Sequence, residues 1–134
     1  MEPVSLSWAM LAAAIVRMAV GALWFSPIAF VAPWQKLIGL SEAELKSGMP
    51  RAIAADFAAS LVMAFVLAHA VVYAQAVTLG QGAVVGFMNW LGFVATVQLT
   101  AVLYEQRPLK LFWLLSGFNV VALTLMGALL AVWR

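Results

Sequence analysis

Three polar side chains lie inside long apolar stretches of the sequence: Arg17, Asp56 and Gln98. A charge within a membrane span costs roughly 3 kcal/mol on insertion scales, so Arg17 is expected to face the interior of a helix bundle and to find a partner there. Asp56 is the only acidic residue inside any of these stretches, and Ser60, one helical turn later, continues its polar face. We therefore predict an Arg17–Asp56 ion pair, with Gln98 as a third polar group at a similar depth.

Two kinds of chemistry are open to such a pair. Paired charges inside a membrane often mark a path for protons or ions, which is the relay hypothesis. The alternative is a structural clamp that fixes the register of two helices. A relay needs titratable groups from one face of the bilayer to the other, and this series ends after one carboxylate, so the clamp is favoured. Snorkelling of Arg17 to the nearer interface is an alternative to pairing.

The composition sets the class of protein. Of 134 residues, 66% are hydrophobic and only 9% are charged, and the mean hydropathy is +1.07. These values predict an integral membrane protein and leave room for about four helices of roughly 20 residues each. The absence of cysteine excludes disulfides, thiolate nucleophiles and iron–sulfur clusters. The net charge of +2 is ordinary for loops beside anionic lipid, so no nucleic-acid partner is expected.

Apolar periodicity predicts an all-α, single-domain bundle of four transmembrane helices, arranged as two helical hairpins. The loop between the first two spans, residues 26–50, combines helix-breaking prolines with apolar residues, which is typical of a short helical segment lying in the membrane interface. Ser41 and Glu44 form a capping box ahead of a small polar helix, for which Gly48 and Pro50 supply the predicted end. The four predicted spans are about 4–25, 51–75, 82–103 and 109–133.

Basic residues predict the orientation of the bundle. The first and third connections carry five Lys and Arg residues, against Arg134 alone on the other side. The positive-inside rule then places both connections in the cytoplasm and both termini outside the cytoplasmic membrane. The five basic residues are Lys36, Lys46, Arg51, Arg107 and Lys110.

Several residues are candidates for helix contacts or partner contacts. Gly82 and Gly86 form a G-x-x-x-G pattern, which favours close helix packing either within one chain or between copies. Gly21, one turn after Arg17, adds a small-residue face to the first span. Asn89 and Asn119 lie within the third and fourth spans, where we expect interhelical hydrogen bonds, with ligand binding as the alternative.

His69 is the only histidine and is expected to hydrogen-bond a neighbour near the end of the second span. One histidine makes no metal site, and no hydrolase, phosphate-binding or zinc motif is present. We therefore predict no metal, no cofactor and no catalytic residue.

The stretch LWFSPIAFVAPW, residues 23–34, carries the most distinctive motif, L-W-[YF]-S-P-x-x-F-x-x-x-W. With the later stretches GFMNWLGFVAT and EQRPLKLFWLLSGFNVV, it resembles the Domain of Unknown Function 1761 family of small bacterial membrane proteins. The resemblance implies four spans and supplies no activity, catalytic residue or cofactor. Phe25 and Val31 depart from the usual tyrosine and glycine. The motif residues are Leu23, Trp24, Phe25, Ser26, Pro27, Phe30 and Trp34.

Three functions are compatible with these features. The favoured one is a non-catalytic membrane protein that acts by association, as an accessory subunit or a homo-oligomer, with the lipid bilayer and other membrane subunits or itself as partners. The alternative is a small transporter that uses the polar layer of Arg17, Asp56 and Gln98. A membrane enzyme is third, because no nucleophile–base pair can be assembled.

Overall fold

In the computed structural model, residues 7–133 are described, and within this range the chain forms five α-helices and no strand. The predicted all-α class is confirmed. A short helix follows the first apolar helix, as expected for the first connection. The helices are α1 (Trp8–Trp24), α2 (Val31–Ile38), α3 (Glu42–Tyr73), α4 (Leu79–Tyr104) and α5 (Leu109–Val132).

Three helices, α3, α4 and α5, are long and apolar enough to cross a membrane. They correspond to the second, third and fourth predicted spans. The first predicted span corresponds to α1, a shorter apolar helix of 17 residues, which is about 25 Å long at 1.5 Å per residue. Residues 4–6 of that predicted span lie outside the described range.

α3 is longer than predicted, because it begins at Glu42 and continues to Tyr73 without interruption. The predicted capping box at its start is confirmed. Ser41 Oγ accepts a hydrogen bond from the backbone N–H of Glu44 at 3.1 Å, and Glu44 Oε1 accepts one from the N–H of Ser41 at 3.3 Å. The prediction of a separate polar helix is wrong, since residues 42–50 form the first turns of α3.

The expected helix end at Gly48 and Pro50 is absent for a stereochemical reason. Gly39, with φ of 72°, is the only glycine of the described chain with a positive φ, and it ends α2. Gly48 therefore does not adopt the left-handed conformation that ends a helix. Pro50 matches the φ of a helix and removes the hydrogen bond to the carbonyl of Lys46. Lys46 and Pro50 are both exposed, so water can hydrate the carbonyl of Lys46.

A π-helical segment, Trp90–Ala95, interrupts α4, and nothing in the sequence pattern indicates it. At its first residue, Trp90 Nε1 donates to the carbonyl oxygen of Ser116 at 2.9 Å and lies 3.2 Å from Ser116 Oγ. At its other end, Thr96 Oγ1 donates to the carbonyl of Gly92 at 2.8 Å. The wide turn is thus accompanied by hydrogen bonds at both ends, one of them to α5.

α5 is the central helix. It contacts α1 and α3 on one side and α4 along most of its length on the other. Half of its apolar stretch is buried, against 28% for α3 and 17% for α4. The core between α1, α3 and α5 is built from small side chains around one long one, since Ala13, Ala64 and Val71 are fully buried beside Met126.

Glycines bring α4 and α5 into backbone contact. A Cβ atom built on Gly82 would overlap the carbonyl oxygen of Gly127, and one built on Gly86 would overlap the carbonyl of Leu123. The G-x-x-x-G pattern therefore packs within one chain, which decides between the two alternatives that the sequence left open.

This packing predicts a large effect of a single methyl group. Gly86→Ala should lower the free energy of unfolding by about 1–3 kcal/mol, because the new Cβ forces the two backbones apart. Gly80→Ala is the matched control, since a Cβ there meets nothing within 4 Å. Thermal unfolding in detergent measures both. Equal stability of the two variants would contradict the close contact.

Candidate functional site

The candidate site is an ion pair between α1 and α3. Arg17 Nη1 lies 2.5 Å from Asp56 Oδ1 and donates a second hydrogen bond to Ser60 Oγ at 2.8 Å. Asp56 and Ser60 are one turn apart on α3, so a single guanidinium nitrogen contacts both polar groups of that face. The predicted pairing of Arg17 with Asp56 is present, with Ser60 as a third member.

Small residues let α1 approach α3 and α5 closely enough for this contact. Ala13, one turn before Arg17, is fully buried, as is Ala64, one turn after Ser60. On the other side of Arg17, Gly21 faces the ring of Phe118, which lies about 3.3 Å from the position of an added Cβ. The small-residue face predicted for α1 thus accommodates two neighbouring helices.

The guanidinium is also in contact with α5. Its Cζ atom lies 5.0 Å from the centroid of the Phe118 ring, within the range of a cation–π interaction. Arg17 Nε is buried and has no hydrogen-bond partner in the described chain. Arg17 is therefore a bridging residue that links three helices, α1, α3 and α5, through one positive charge.

The two charges differ in their surroundings. The side chain of Arg17 is 10% exposed, whereas that of Asp56 is 43% exposed. Arg17 is consequently the more deeply enclosed of the two charges, and Asp56 and Ser60 are the groups that compensate it.

Gln98 does not join the pair. Arg17 bonds only Asp56 and Ser60, and Gln98 Oε1 is buried without a hydrogen-bond partner in the described chain. The reason is the helix arrangement, since α4 packs on α5 and not along α1. Gln98 was expected to join the pair because it lies at a similar depth, but it makes no hydrogen bond to Arg17. The prediction that Gln98 supplements the pair is therefore wrong.

The two intramembrane asparagines also differ from expectation. Asn89 Nδ2 donates to the carbonyl of Val85 at 2.9 Å, and Asn119 Nδ2 donates to the carbonyl of Leu115 at 3.1 Å. Each bond lies within one helix, four residues back, so the prediction of interhelical hydrogen bonds is wrong. A short amide side chain reaches its own helix carbonyl without needing a neighbour at the right distance.

His69 makes the ordinary contact predicted for it. Its Nδ1 lies 2.8 Å from the carbonyl oxygen of Phe65, and its ring makes a tilted contact with Phe65 and an edge contact with Tyr73. No group of three or more His, Cys, Asp or Glu residues that could hold a metal ion occurs within residues 7–133.

The aromatic motif after α1 packs against α5. Trp24 Nε1 donates to the carbonyl oxygen of Leu114 at 2.8 Å, and its indole lies against Gly117. The ring of Phe30 stacks on Trp24 with 4.8 Å between centroids. These contacts attach the carboxyl end of α1 to the central helix.

Phe25 links the motif to the ion pair. Its ring centroid lies 4.8 Å from that of Trp34 on α2 and 5.6 Å from that of Phe118. The Phe118 ring in turn contacts the Arg17 guanidinium. The chain reverses at the intervening S-P step, where Ser26 Oγ donates to the carbonyl of Leu23 at 2.7 Å. Pro27 follows in this turn. The motif and the ion pair are therefore one continuous assembly around Phe118.

Comparison with known proteins supports the family indicated by this motif. A family model described as "Protein of unknown function (DUF1761)" matches residues 8–131, nearly the whole chain. The chain belongs to this family. No curated protein and no solved structure matches it. Within this DUF1761 chain, the family motif serves to position α1 and α2 on α5.

Two partners in the site were not predicted. Phe118, which faces Arg17, reads in the sequence as one apolar residue among many on α5. Leu114 contributes a main-chain carbonyl, which every residue carries, so no side-chain pattern marks it. Ser60 was detectable because it follows Asp56 at helical spacing.

The Arg17–Asp56 ion pair of this DUF1761 chain can be tested by a double-mutant cycle. Asp56→Leu should lower the unfolding free energy by about 3 kcal/mol, since it leaves a buried, unpaired guanidinium. Arg17→Met should also lower it, because it leaves the Asp56 carboxylate unpaired and removes the contact with Phe118. The double variant should cost less than the sum of the two.

Glu105→Leu is the control, because it breaks an exposed ion pair with Arg107, 3.2 Å long, and should cost less than about 1 kcal/mol. Unfolding in mixed micelles measures all four variants. Strict additivity of Arg17→Met and Asp56→Leu would contradict the pair.

Proposed function

We propose that this chain is a four-span protein of the bacterial cytoplasmic membrane that acts by association and carries no chemistry of its own. Its partners are other membrane subunits or further copies of the chain. The observation that carries the proposal is the exposed first part of α3, residues 42–51, which we call the stem. Nine of its ten residues are exposed, and Leu45 is half-buried.

The stem is helical although two of its residues disfavour the helical conformation. Gly48 costs about 1 kcal/mol and Pro50 about 3 kcal/mol relative to alanine in a helix interior. The capping box and the Glu42–Lys46 ion pair, 3.1 Å long and fully at the surface, offset little of this. A partner that packs on the stem would supply the missing stabilisation, as tertiary contacts do for most helices.

An apolar stripe for such a partner runs along the stem and continues beyond it on α3. Leu45, Met49, Ile53 and Phe57 follow one another at intervals of four residues, so they lie along one side of α3. Met49 is 40% exposed and Ile53 is 51% exposed. A stripe with this spacing is the usual contact surface for another helix.

α1 supports the count of four spans. Its length of about 25 Å is at the lower limit for crossing the hydrocarbon layer. Arg17 binds the adjacent α3 at the middle of α1, so α1 lies alongside helices that are long enough to span.

A transporter has less support. A solute path needs polar groups from one face to the other. In the described chain, Arg17 bonds Asp56 and Ser60, and the amide nitrogen of Asn89 bonds its own helix. The cation and the amide donors are thus engaged within the protein.

Orientation can be tested on the cysteine-free chain. The excess of basic residues on the first and third connections predicts that Ser47 is cytoplasmic and that Val77, between α3 and α4, is outside. In intact cells an impermeant thiol reagent should label Val77→Cys and leave Ser47→Cys unlabelled. Permeabilised cells provide the control, in which both must react. The reverse pattern in intact cells would invert the topology.

Association can be tested on the stripe itself. Met49→Glu places a charge in the proposed contact and should abolish complexes seen by native mass spectrometry and crosslinking at natural expression level. Ser47→Glu is the matched control, because Ser47 is exposed on the opposite side of the stem and should leave complexes intact.

Recovery of the wild-type chain as a monomer would contradict association. A solute flux in liposomes that is lost in Asp56→Asn would favour the transporter instead.

A further inference from the structure

The apolar stripe of the stem lies on the same side of α3 as residues that pack inside the bundle. Met49 precedes Leu67 by 18 residues, and Ile53 precedes Val71 by the same interval. This interval is about five turns at 3.6 residues per turn, so each pair shares one face of the helix. Leu67 and Val71 are buried in the core, whereas Met49 and Ile53 are exposed. The stripe is therefore the exposed continuation of the packing face of α3.

α1 ends at the level where the stem begins. Arg17 bonds Asp56, and α1 and α3 run in opposite directions as successive spans of the proposed bundle. Trp24, the last residue of α1, follows Arg17 by seven positions. At 1.5 Å per residue on both helices, Trp24 is level with about Met49. The stem therefore lies beyond the end of α1, where the chain continues into α2.

α2 has apolar side chains that are incompletely covered. Within the described chain, none of its eight residues is fully buried. Leu37 and Ile38, in its last turn, are half-buried, and Leu40, just beyond it, is 40% exposed. Only residues 39–41 separate α2 from α3, yet the two helices contact each other little. They therefore diverge from a short connection, and both have apolar side chains near it.

Gly48 and Pro50 allow the stem to move relative to the bundle. A proline inside a helix removes one hydrogen bond and is a usual site of a sharp bend. A Cβ atom built on Gly48 would meet nothing within 4 Å, so no neighbour in the described chain holds this turn. α2, in contrast, is attached to α5 through the rings of Trp34, Phe25 and Phe118. The stem is consequently the part that moves.

We propose that the stem bends at residues 48–50 and closes on α2 as a helical hairpin, in which Leu45 packs against Leu37 and Ile38. The structure described here is the open form. Closure removes apolar side chains of both helices from water, which stabilises it. Because the stripe is also the proposed contact for a partner, closure hides that contact until the partner displaces α2. This regulation rests on the proposed association, whereas closure itself does not.

The charges of the two helices are complementary in the closed form. Lys36 on α2 and Glu44 on α3 each lie four residues from Leu40, so a hairpin about this connection brings them to the same height. Lys36 makes no ion pair within the part of the chain that the structure describes. Glu44 uses Oε1 for the capping bond to Ser41, which leaves Oε2 for Lys36. An exposed ion pair adds little energy, but it favours one register of the hairpin.

Pulsed electron paramagnetic resonance on the cysteine-free chain measures closure directly. Spin labels on Ala32→Cys and Ser47→Cys, at exposed positions of α2 and the stem, report the distance between these two helices. The doubly labelled chain is diluted with excess unlabelled chain in nanodiscs, so that only distances within one copy are recorded. We expect two populations, an open one at the separation seen in the structure and a closed one at a shorter distance.

Substitutions test the contact and the bend separately. Leu45→Glu places a charge in the closed contact and should reduce the closed population severalfold. Ala43→Glu is the matched control, because Ala43 is exposed on the opposite side of the stem and should leave the closed population unchanged. Pro50→Ala restores the backbone hydrogen bond and should also reduce the closed population, because the helix then resists bending.

A single distance equal to that of the structure in the otherwise unchanged labelled chain would overturn the proposal. So would a closed population that persists undiminished in Leu45→Glu. Recovery of the chain as a monomer, which contradicts association, leaves these distances within one copy unaffected, so the two proposals fail independently.

Discussion

The positive charge of Arg17 is the constraint on which the rest of this structure depends. A guanidinium in the middle of a short apolar helix is tolerated only if polar groups meet it, and α3 supplies Asp56 and Ser60 from a single face. That contact fixes the register of α1 against α3, and Phe118 beneath the guanidinium fixes both against α5. The family motif then continues from Phe118 through Phe25 to α2. Arg17 thereby links α1, α3 and α5, and the aromatic motif adds α2.

α5 holds α4 through close backbone contacts and a side-chain hydrogen bond. Apolar side chains gain little by leaving lipid for one another, so membrane helices associate through close packing and hydrogen bonds. Both devices are present here. Gly82 and Gly86 of α4 pack on the carbonyls of Gly127 and Leu123, and the indoles of Trp24 and Trp90 donate to α5 carbonyls. α3 and α4 both pack on α5 and contact each other little, and a largely apolar cavity lies between them.

The sequence predicted those features that depend on helical spacing and on charge. The Arg17–Asp56 pair, the Ser41–Glu44 capping box and the helix boundaries near Leu109 follow from such rules, and the structure has each of them. Features that depend on helix rotation or neighbour choice were not predictable. Gln98 shares the depth of the pair but lies on a helix that does not pack along α1, and the asparagine amides bond their own helices. α3 continues through Pro50 because the stem is exposed. The rule that proline ends a helix takes no account of this exposure.

The central claim is that the Arg17 guanidinium is held rigidly by Asp56 and Ser60, and side-chain nitrogen NMR of the arginine-labelled protein in micelles tests it most directly. An exposed guanidinium rotates freely, and its Nη protons exchange rapidly with water. A guanidinium held by two hydrogen bonds and buried to nine-tenths of its surface should instead give resolved Nη resonances that exchange slowly. We expect one such set, assigned to Arg17 by its loss in Arg17→Lys and broadened in Asp56→Asn. Averaged, fast-exchanging signals from every arginine of the wild-type chain would contradict the account.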